Sequence, residues 1–220
     1  MIESRPSLDQ TYFETLYARS PDPWQFRTSA YERRKYGATL DILPRARYGR
    51  ALEVGCSIGV FTRLLAGRCD GLLALDTSSR ALAEAERDNA DLGHVEFRLA
   101  TLPREFPGGQ YDLIVLSEVL YYLCARDLAA LADHCLDALS PGGHIVLCHW
   151  LGETDYPLGG DEAADLFVTR VTPRLHPSMS RRGPKYRLDV LTSRPQDDGE
   201  DARPCGARKV SPMASARRRA

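Results

Sequence analysis

The sequence has no apolar run long enough to cross a bilayer. Its first residues, MIESRPSLDQ, contain no apolar stretch of the kind that heads a secretory signal. Charge bias is missing too: 29 Lys and Arg stand against 30 Asp and Glu, a formal net charge of -1. That balance gives no electrostatic case for nucleic acid or an anionic membrane as partner. The six cysteines, Cys56, Cys69, Cys124, Cys135, Cys148 and Cys205, form no C-x-x-C pair, and no histidines cluster beside them. Such scatter argues against a metal site, and most of these thiols lie in apolar runs, where a free cysteine acts as a small hydrophobe. A cytoplasmic protein with reduced thiols is the expectation. No internal repeat is visible.

What is present is the composition of an ordinary globular protein, 43% hydrophobic and 27% charged over 220 residues. From Ala30 to Thr192, helical and strand-like patterns alternate, which predicts a largely parallel sheet covered by helices. The expected strands are Arg50–Val54, Gly71–Asp76, HVEFRLA, YDLIVLS and HIVLCHW, the last two apolar enough to be buried on both faces. Ser78 or Ser79 is placed to cap the helix SSRALAEAERDNA. A clear helix spans Asp127–Leu139, where Leu128, Leu131, Ala132, Cys135, Leu136 and Leu139 make one apolar stripe that SPGG ends. RVTPRLH and KYRLDVLTS, joined across MSRRGP, read as a terminal β-hairpin, although Pro173 and Pro177 fit its first arm poorly. One domain is expected over residues 1–195, a helical cap over 1–45 with two helices around SPDP, and a core over 46–195. Residues 196–220, from the acidic DDGED to the basic ARRRA, read as a disordered tail.

The chemistry concentrates in ALEVGCSIGVF, which places Glu53, Gly55, Ser57 and Gly59 at the exit of the first strand. Glycines there let the backbone bend sharply and a ligand approach without a Cβ in the way. The next helix presents its unpaired N–H groups. Asp76 ends the second strand, where a carboxylate can accept hydrogen bonds from both hydroxyls of a ribose. The alternative is a loop that glycine merely permits, with Asp76 as a helix cap. A dinucleotide is the competing ligand, but G-x-G-x-x-G starting at Gly55 would need glycines at Ser57 and Val60. The acid at Glu53 better suits a sulfonium nucleoside, whose amino-acid end carries positive charge.

These residues resemble the ExGxxxG motif and the following acidic position of class I S-adenosylmethionine-dependent methyltransferases, and LSPGG-H-IVL resembles a later strand of that family. The resemblance implies a Rossmann-like α/β fold, a seven-stranded mostly parallel sheet with a reversed last strand. S-adenosyl-L-methionine is the implied cofactor, with Gly55, Cys56, Ser57 and Gly59 along its methionine part, Asp76 at the ribose, and Thr101 with Leu102 at the adenine. Many relatives carry an acid before the adenine contact; Ala100 stands there, so backbone contacts from Thr101–Leu102 are expected instead. DPWQF, YERRKY, SEVLYYL, and HW followed by TDYPLGGDE further resemble the nodulation protein S family, N-methyltransferases of an amino sugar. A histidine that follows GDE in that family is replaced by Ala163 and Ala164.

In an open α/β sheet the ligand lies beyond the carboxyl ends of the strands. That places Ser117–Tyr122, His149–Tyr156 and the N-terminal cap over the cofactor. An amine acceptor of pKa near lysine's, about 10, must lose a proton before it attacks. His149 is the first candidate to receive it, the alternative being a histidine packed against backbone; Glu118 is second, and Tyr122 can supply a hydroxyl. Tyr31, Thr77 and Ser117 join Glu53 on the cofactor side, while Trp24, Tyr121, Trp150, Asp155 and Tyr156 are assigned to the acceptor. The acidic series Glu153, Asp155, Asp161, Glu162 and Asp165, in an expected loop, suits steering of a cationic substrate. The leading expectation is methyl transfer to the nitrogen of an amino sugar or related amine. An O-methyltransferase, a non-catalytic S-adenosylmethionine-binding protein and an NAD-dependent enzyme are the alternatives.

Overall fold

The computed structural model describes residues 5–193, so the tail at 196–220, with Cys205, lies outside the described residues. Two cap helices, α1 (Gln10–Arg19) and α2 (Ala30–Asp41), precede β1 (Tyr48–Val54). Alternation then runs α3 (Val60–Ala66), β2 (Cys69–Asp76), α4 (Ser79–Asp88), β3 (Val95–Leu99), β4 (Tyr111–Ser117), α5 (Ala125–Ala138), β5 (Leu139–Trp150) and α6 (Gly160–Val171). The chain closes with β6 (Leu175–Arg182) and β7 (Tyr186–Ser193). The seven strands lie in the order β3-β2-β1-β4-β5-β7-β6. β1 to β5 pair in parallel, whereas β7 runs antiparallel to both of its neighbours. No described helix is long and apolar enough to cross a membrane.

Apolar side chains from both faces of the sheet build two cores. On one face Leu52, Ile114, Leu116 and Leu147 pack under Leu128, Leu131, Cys135 and Phe167 of α5 and α6. On the other, Ala51, Leu113, Val115 and Val146 pack under Tyr36, Phe61 and Leu65 of α2 and α3. The order of strands reverses between β1 and β4, so the loops leaving these two strands diverge to opposite faces and open a crevice between them.

Ser78 is the residue that caps α4, its hydroxyl accepting from the Ala81 N–H at 3.3 Å. Three expectations change. The first arm of the hairpin is Leu175–Arg182, not RVTPRLH: Arg170 and Val171 complete α6, whose buried stripe Ala163, Ala164, Phe167 and Val171 draws the chain into a helix. Pro173 falls between α6 and β6. Pro177 sits beside a bulge in the outermost strand, where a missing N–H costs no ladder bond. Asp161, Glu162 and Asp165 therefore lie on a helix rather than in a loop. SPGG, finally, is the bulged start of β5: Leu139 pairs with Tyr111, and the register resumes at His144 opposite Leu113.

Gly59 has φ +75°, and a Cβ there would stand 2.5 Å from Asn89 Nδ2 and 2.9 Å from the Ala85 Cβ. Gly59→Ala is expected to lower stability by about 2–4 kcal/mol, from backbone strain and overpacking together. Urea denaturation measures it; an unchanged midpoint would mean that α4 moves aside freely.

Candidate active site

The crevice begins at Gly55. Its φ is +76°, and a Cβ would fall 2.1 Å from Val119 Cγ1, so only glycine leaves the chain this close to the loop after β4. Three cavities meet along the ends of β1, β2 and β4, and Tyr122, half-buried, borders all three. The first is lined by Leu75, Asp76, Thr77, Thr101 and Leu102, among others. The second is bordered by Glu53, Cys56, Ser57, Ser117 and Glu118 and shares Gly55 and Asp76 with the first. The third opens beyond Glu118 under α2 and has an open volume of about 790 Å³.

At the first junction, Asp76 Oδ2 accepts from the Ser57 N–H and Oδ1 from the Ser78 N–H, each at 2.8 Å. Burial raises its pKa from 3.8 to about 6, against the pull of these amides. Ser57 is held at φ +52° and its hydroxyl meets that of Tyr17 at 2.5 Å. Glu53 is buried; its pKa rises from 4.5 to about 7, chiefly by burial, and Oε2 has no hydrogen-bond partner. A buried carboxylate oxygen without a partner on the cavity wall fits the cationic end of the nucleoside expected there. Thr77 and Thr101 hydroxyls lie 3.0 Å apart. The Thr101 N–H already donates to Glu105 Oε2 at 2.6 Å and so is not free for the adenine contact expected of it.

The third cavity is walled by aromatic rings, among them Trp24, Tyr31, Tyr121, Trp150 and Tyr156. At its base lies a charge network. Lys35 Nζ, on a side chain only 2% exposed, sits 2.5 Å from Glu118 Oε1 and 2.8 Å from Glu32 Oε2. Glu118 Oε2 accepts from Tyr121 Oη at 2.7 Å and from the Trp150 N–H at 2.8 Å. Burial works against both charges, but their attraction prevails: the Lys35 pKa is raised and the Glu118 pKa lowered. Glu32 Oε2 touches Lys35 outside hydrogen-bond geometry and has no other partner.

Several expected residues sit elsewhere. His149 is fully buried behind the site and lines none of the three cavities. Its Nε2 accepts from the Leu120 N–H at 3.2 Å, leaving the proton on Nδ1, and burial pushes its pKa down to about 4. It therefore props the loop after β4. Tyr31 faces the third cavity rather than the cofactor side. Gly59 supports α4 contact and does not line the crevice. Asp155 points outward and pairs with Arg5 at 2.5 Å; Asp161 pairs with Arg182 and Asp165 with Arg187, each at 2.6 Å. These three acids thus lie in ion pairs with arginines, Arg187 being shared among Asp161, Asp165 and Asp189. Ala163 and Ala164 are fully buried, facing the core.

Sequence reasoning missed Glu32 and Lys35. Their signal was Glu32, Lys35 and Thr39, polar residues at helical spacing beside Tyr36 on one face of α2, all four buried. Among the described residues no cluster of three potential metal ligands occurs.

The nodulation protein S family model matches residues 13–148, a stretch that contains Gly55–Gly59, Asp76 and the Glu32, Lys35 and Glu118 charges. The chain belongs to the nodulation protein S family. A nodulation protein S of Sinorhizobium fredii is 36% identical over 130 residues, 57% of this chain and 59% of the relative. The chain thus spans about half to three-fifths of the length of the curated family members it matches. A crystal structure of a methyltransferase candidate from Pseudomonas syringae is 40% identical, with TM-score 0.66, covering 74% of this chain and 99% of that one. N-methyltransferase NodS of Bradyrhizobium japonicum, in complex with S-adenosyl-L-homocysteine, superposes with TM-score 0.71 at 24% identity, over 84% of this chain and 97% of the other. That last likeness establishes the class I methyltransferase fold.

The shifts of Glu53 and Asp76 have a stability consequence. The folded-state pKa values are raised above 4.5 and 3.8, so between about pH 4 and 7 the folded protein binds more protons than the unfolded chain. The contribution of these two groups to stability therefore falls as pH rises through that window, opposite in sign to that of His149, whose pKa is lowered. Glu53→Gln should flatten this decline in thermal melts recorded from about pH 5 to 8. A slope identical to the parent's would refute the burial of an ionisable Glu53.

Proposed function

We propose that this chain transfers a methyl group from S-adenosyl-L-methionine to the nitrogen of a small acceptor, an amino sugar or related amine. The observation that carries the reading is the junction of the two sites. An aromatic cavity with two carboxylates and one ammonium at its base opens beside Glu118 and Tyr122 onto the glycine crevice. Family membership and the 36% identity to a nodulation protein S support it. So does the phosphoethanolamine N-methyltransferase 1 of Arabidopsis thaliana, 29% identical over 122 residues, 54% of this chain and 25% of that one.

Bound in the crevice, the cofactor supplies an electrophilic methyl group on a sulfonium. Glu53 would hold its ammonium and Asp76 its ribose hydroxyls, and the apolar wall of Val54, Leu75, Leu102 and Leu131 would take its base. Glu118 is fixed by Lys35, Tyr121 and the Trp150 amide, and so holds the floor of the acceptor cavity in one position. In-line displacement gains most from such alignment. With His149 buried behind the loop, the proton of the acceptor leaves to solvent rather than to a histidine.

The test is product analysis. Incubation with S-adenosyl-L-methionine and a panel of amino sugars, small amines and their hydroxyl counterparts should yield N-methylated product. Glu118→Gln should lower kcat/KM roughly 100-fold with little change in cofactor affinity. Methylation confined to hydroxyl acceptors would overturn the reading. For the cofactor, calorimetry with S-adenosyl-L-homocysteine should find affinity falling as pH drops through about 7, where Glu53 takes up its proton. Asp76→Asn should weaken binding, and unaltered affinity would remove Asp76 from the ribose.

A further inference from the structure

Glu118 stands between the two halves of the site, since it borders both the second and the third cavity. Its backbone is held at φ +59°, and its N–H donates to the Cys148 carbonyl at 2.8 Å. An ionised carboxylate offers about four acceptor positions. Tyr121 Oη and the Trp150 N–H occupy two on Oε2, and Lys35 Nζ occupies one on Oε1, so a single position is left. Facing this carboxylate or its lysine are Tyr31, Glu32 and Tyr36 on α2, Tyr121 and Tyr122 in its own loop, and Cys148 and His149 on β5. Burial raises the pKa of the four tyrosines and the Cys148 thiol and pushes His149 down to about 4, so near neutral pH these six carry no charge. Glu32 adds a second carboxylate. The cation that meets Glu118 is Lys35.

Lys35 is held as a cation from several sides, by two carboxylates and by the Tyr31 and Tyr36 rings, whose centres lie 5.5 and 5.7 Å from Nζ. With 2% of its side chain exposed, it offers an acceptor almost no surface of its own. Its effect shows in a comparison within the site. Glu53 and Asp76, buried in the same crevice and outside any described ion pair, have pKa values raised to about 7 and about 6, whereas that of Glu118 is lowered. We infer that Lys35 is a positioning residue for methyl transfer, acting through Glu118: it keeps that carboxylate ionised and fixed, so that its remaining position receives an N–H of the acceptor. This rests on the methyl-transfer reading above and deepens it. An acceptor nitrogen held through its N–H keeps its lone pair for the methyl carbon. A protonated Glu118 would lose an acceptor position and its attraction to Lys35 together.

The test takes kcat/KM of Lys35→Met relative to the parent, on one amine acceptor, at each pH from about 6 to 8; the ratio cancels the acceptor's own titration. Without Lys35, Glu118 should titrate near the value of about 7 reached by Glu53, so the deficit should shrink from about 100-fold at about pH 6 to about tenfold at about pH 8. A ratio that does not change with pH would mean a lysine that only supports the fold, and would overturn the inference. Lys35→Met/Glu118→Gln removes both charges of the pair and covers the case in which Lys35→Met does not fold. It should stay within about threefold of Glu118→Gln alone, because a residue acting through Glu118 then has nothing to act on; a further loss of about tenfold would equally refute the role. Calorimetry with S-adenosyl-L-homocysteine checks that each variant keeps its cofactor site. A carboxyl carbon-13 NMR titration separates the two claims. The Glu118 signal, assigned by its absence in Glu118→Gln, should remain that of a carboxylate at about pH 6 in the parent and titrate near about 7 in Lys35→Met. That shift in a protein that methylates no amine would refute the methyl-transfer reading; absence of the shift would refute the role of Lys35.

Discussion

The buried ion pair between Lys35 and Glu118 is the interaction on which the rest of the site depends. It joins a cap helix to the loop after β4, at the point where the sheet reverses its order. An ammonium and a carboxylate removed from water are stable only with each other and with added hydrogen bonds. The structure supplies two such bonds to Glu118, from Tyr121 and the Trp150 amide, and sets a second carboxylate, Glu32, beside Lys35. Glu118 itself is held at φ +59°, a conformation that a non-glycine residue keeps only when its surroundings over-determine it. Cap, β4 and β5 are thereby fastened to one carboxylate.

Around that anchor the polar groups divide by environment. Glu53 and Asp76 lie where burial opposes charge and have raised pKa values, whereas Glu118, beside Lys35, is kept ionised. Asp76 also organises the glycine turn, because its two oxygens hold the amides of Ser57 and Ser78 across the β1 and β2 exits. The crevice is thus preformed by backbone bonds. His149 shows the opposite outcome of burial: made neutral and turned onto the Leu120 amide, it serves the loop geometry.

Much of this was legible in the chain before any coordinates. The parallel strands β1 to β5 announced themselves as apolar runs ending in polar or glycine residues, and the ExGxxxG turn with Asp76 located the crevice at the strand ends, because backbone bends and strand ends are local properties. The hairpin arm was less legible. RVT carries β-branched residues, yet the apolar stripe from Ala163 to Val171 reaches through it and makes a helix. Tertiary burial outweighed local propensity.

By itself, the sequence determined the alternation of elements, the glycine turn and its acid, since each depends on spacing within a few residues. Only the tertiary structure decided which charges are free. Asp155, Asp161 and Asp165 look like a field for a cation in sequence, but folding pairs each with an arginine distant along the chain. Glu32 and Lys35 stand three residues apart on one helix, but folding brings Lys35 against Glu118, 83 positions further along the chain. Pairing of charges is long-range and desolvation belongs to the packed state, so neither is written in the local order of residues.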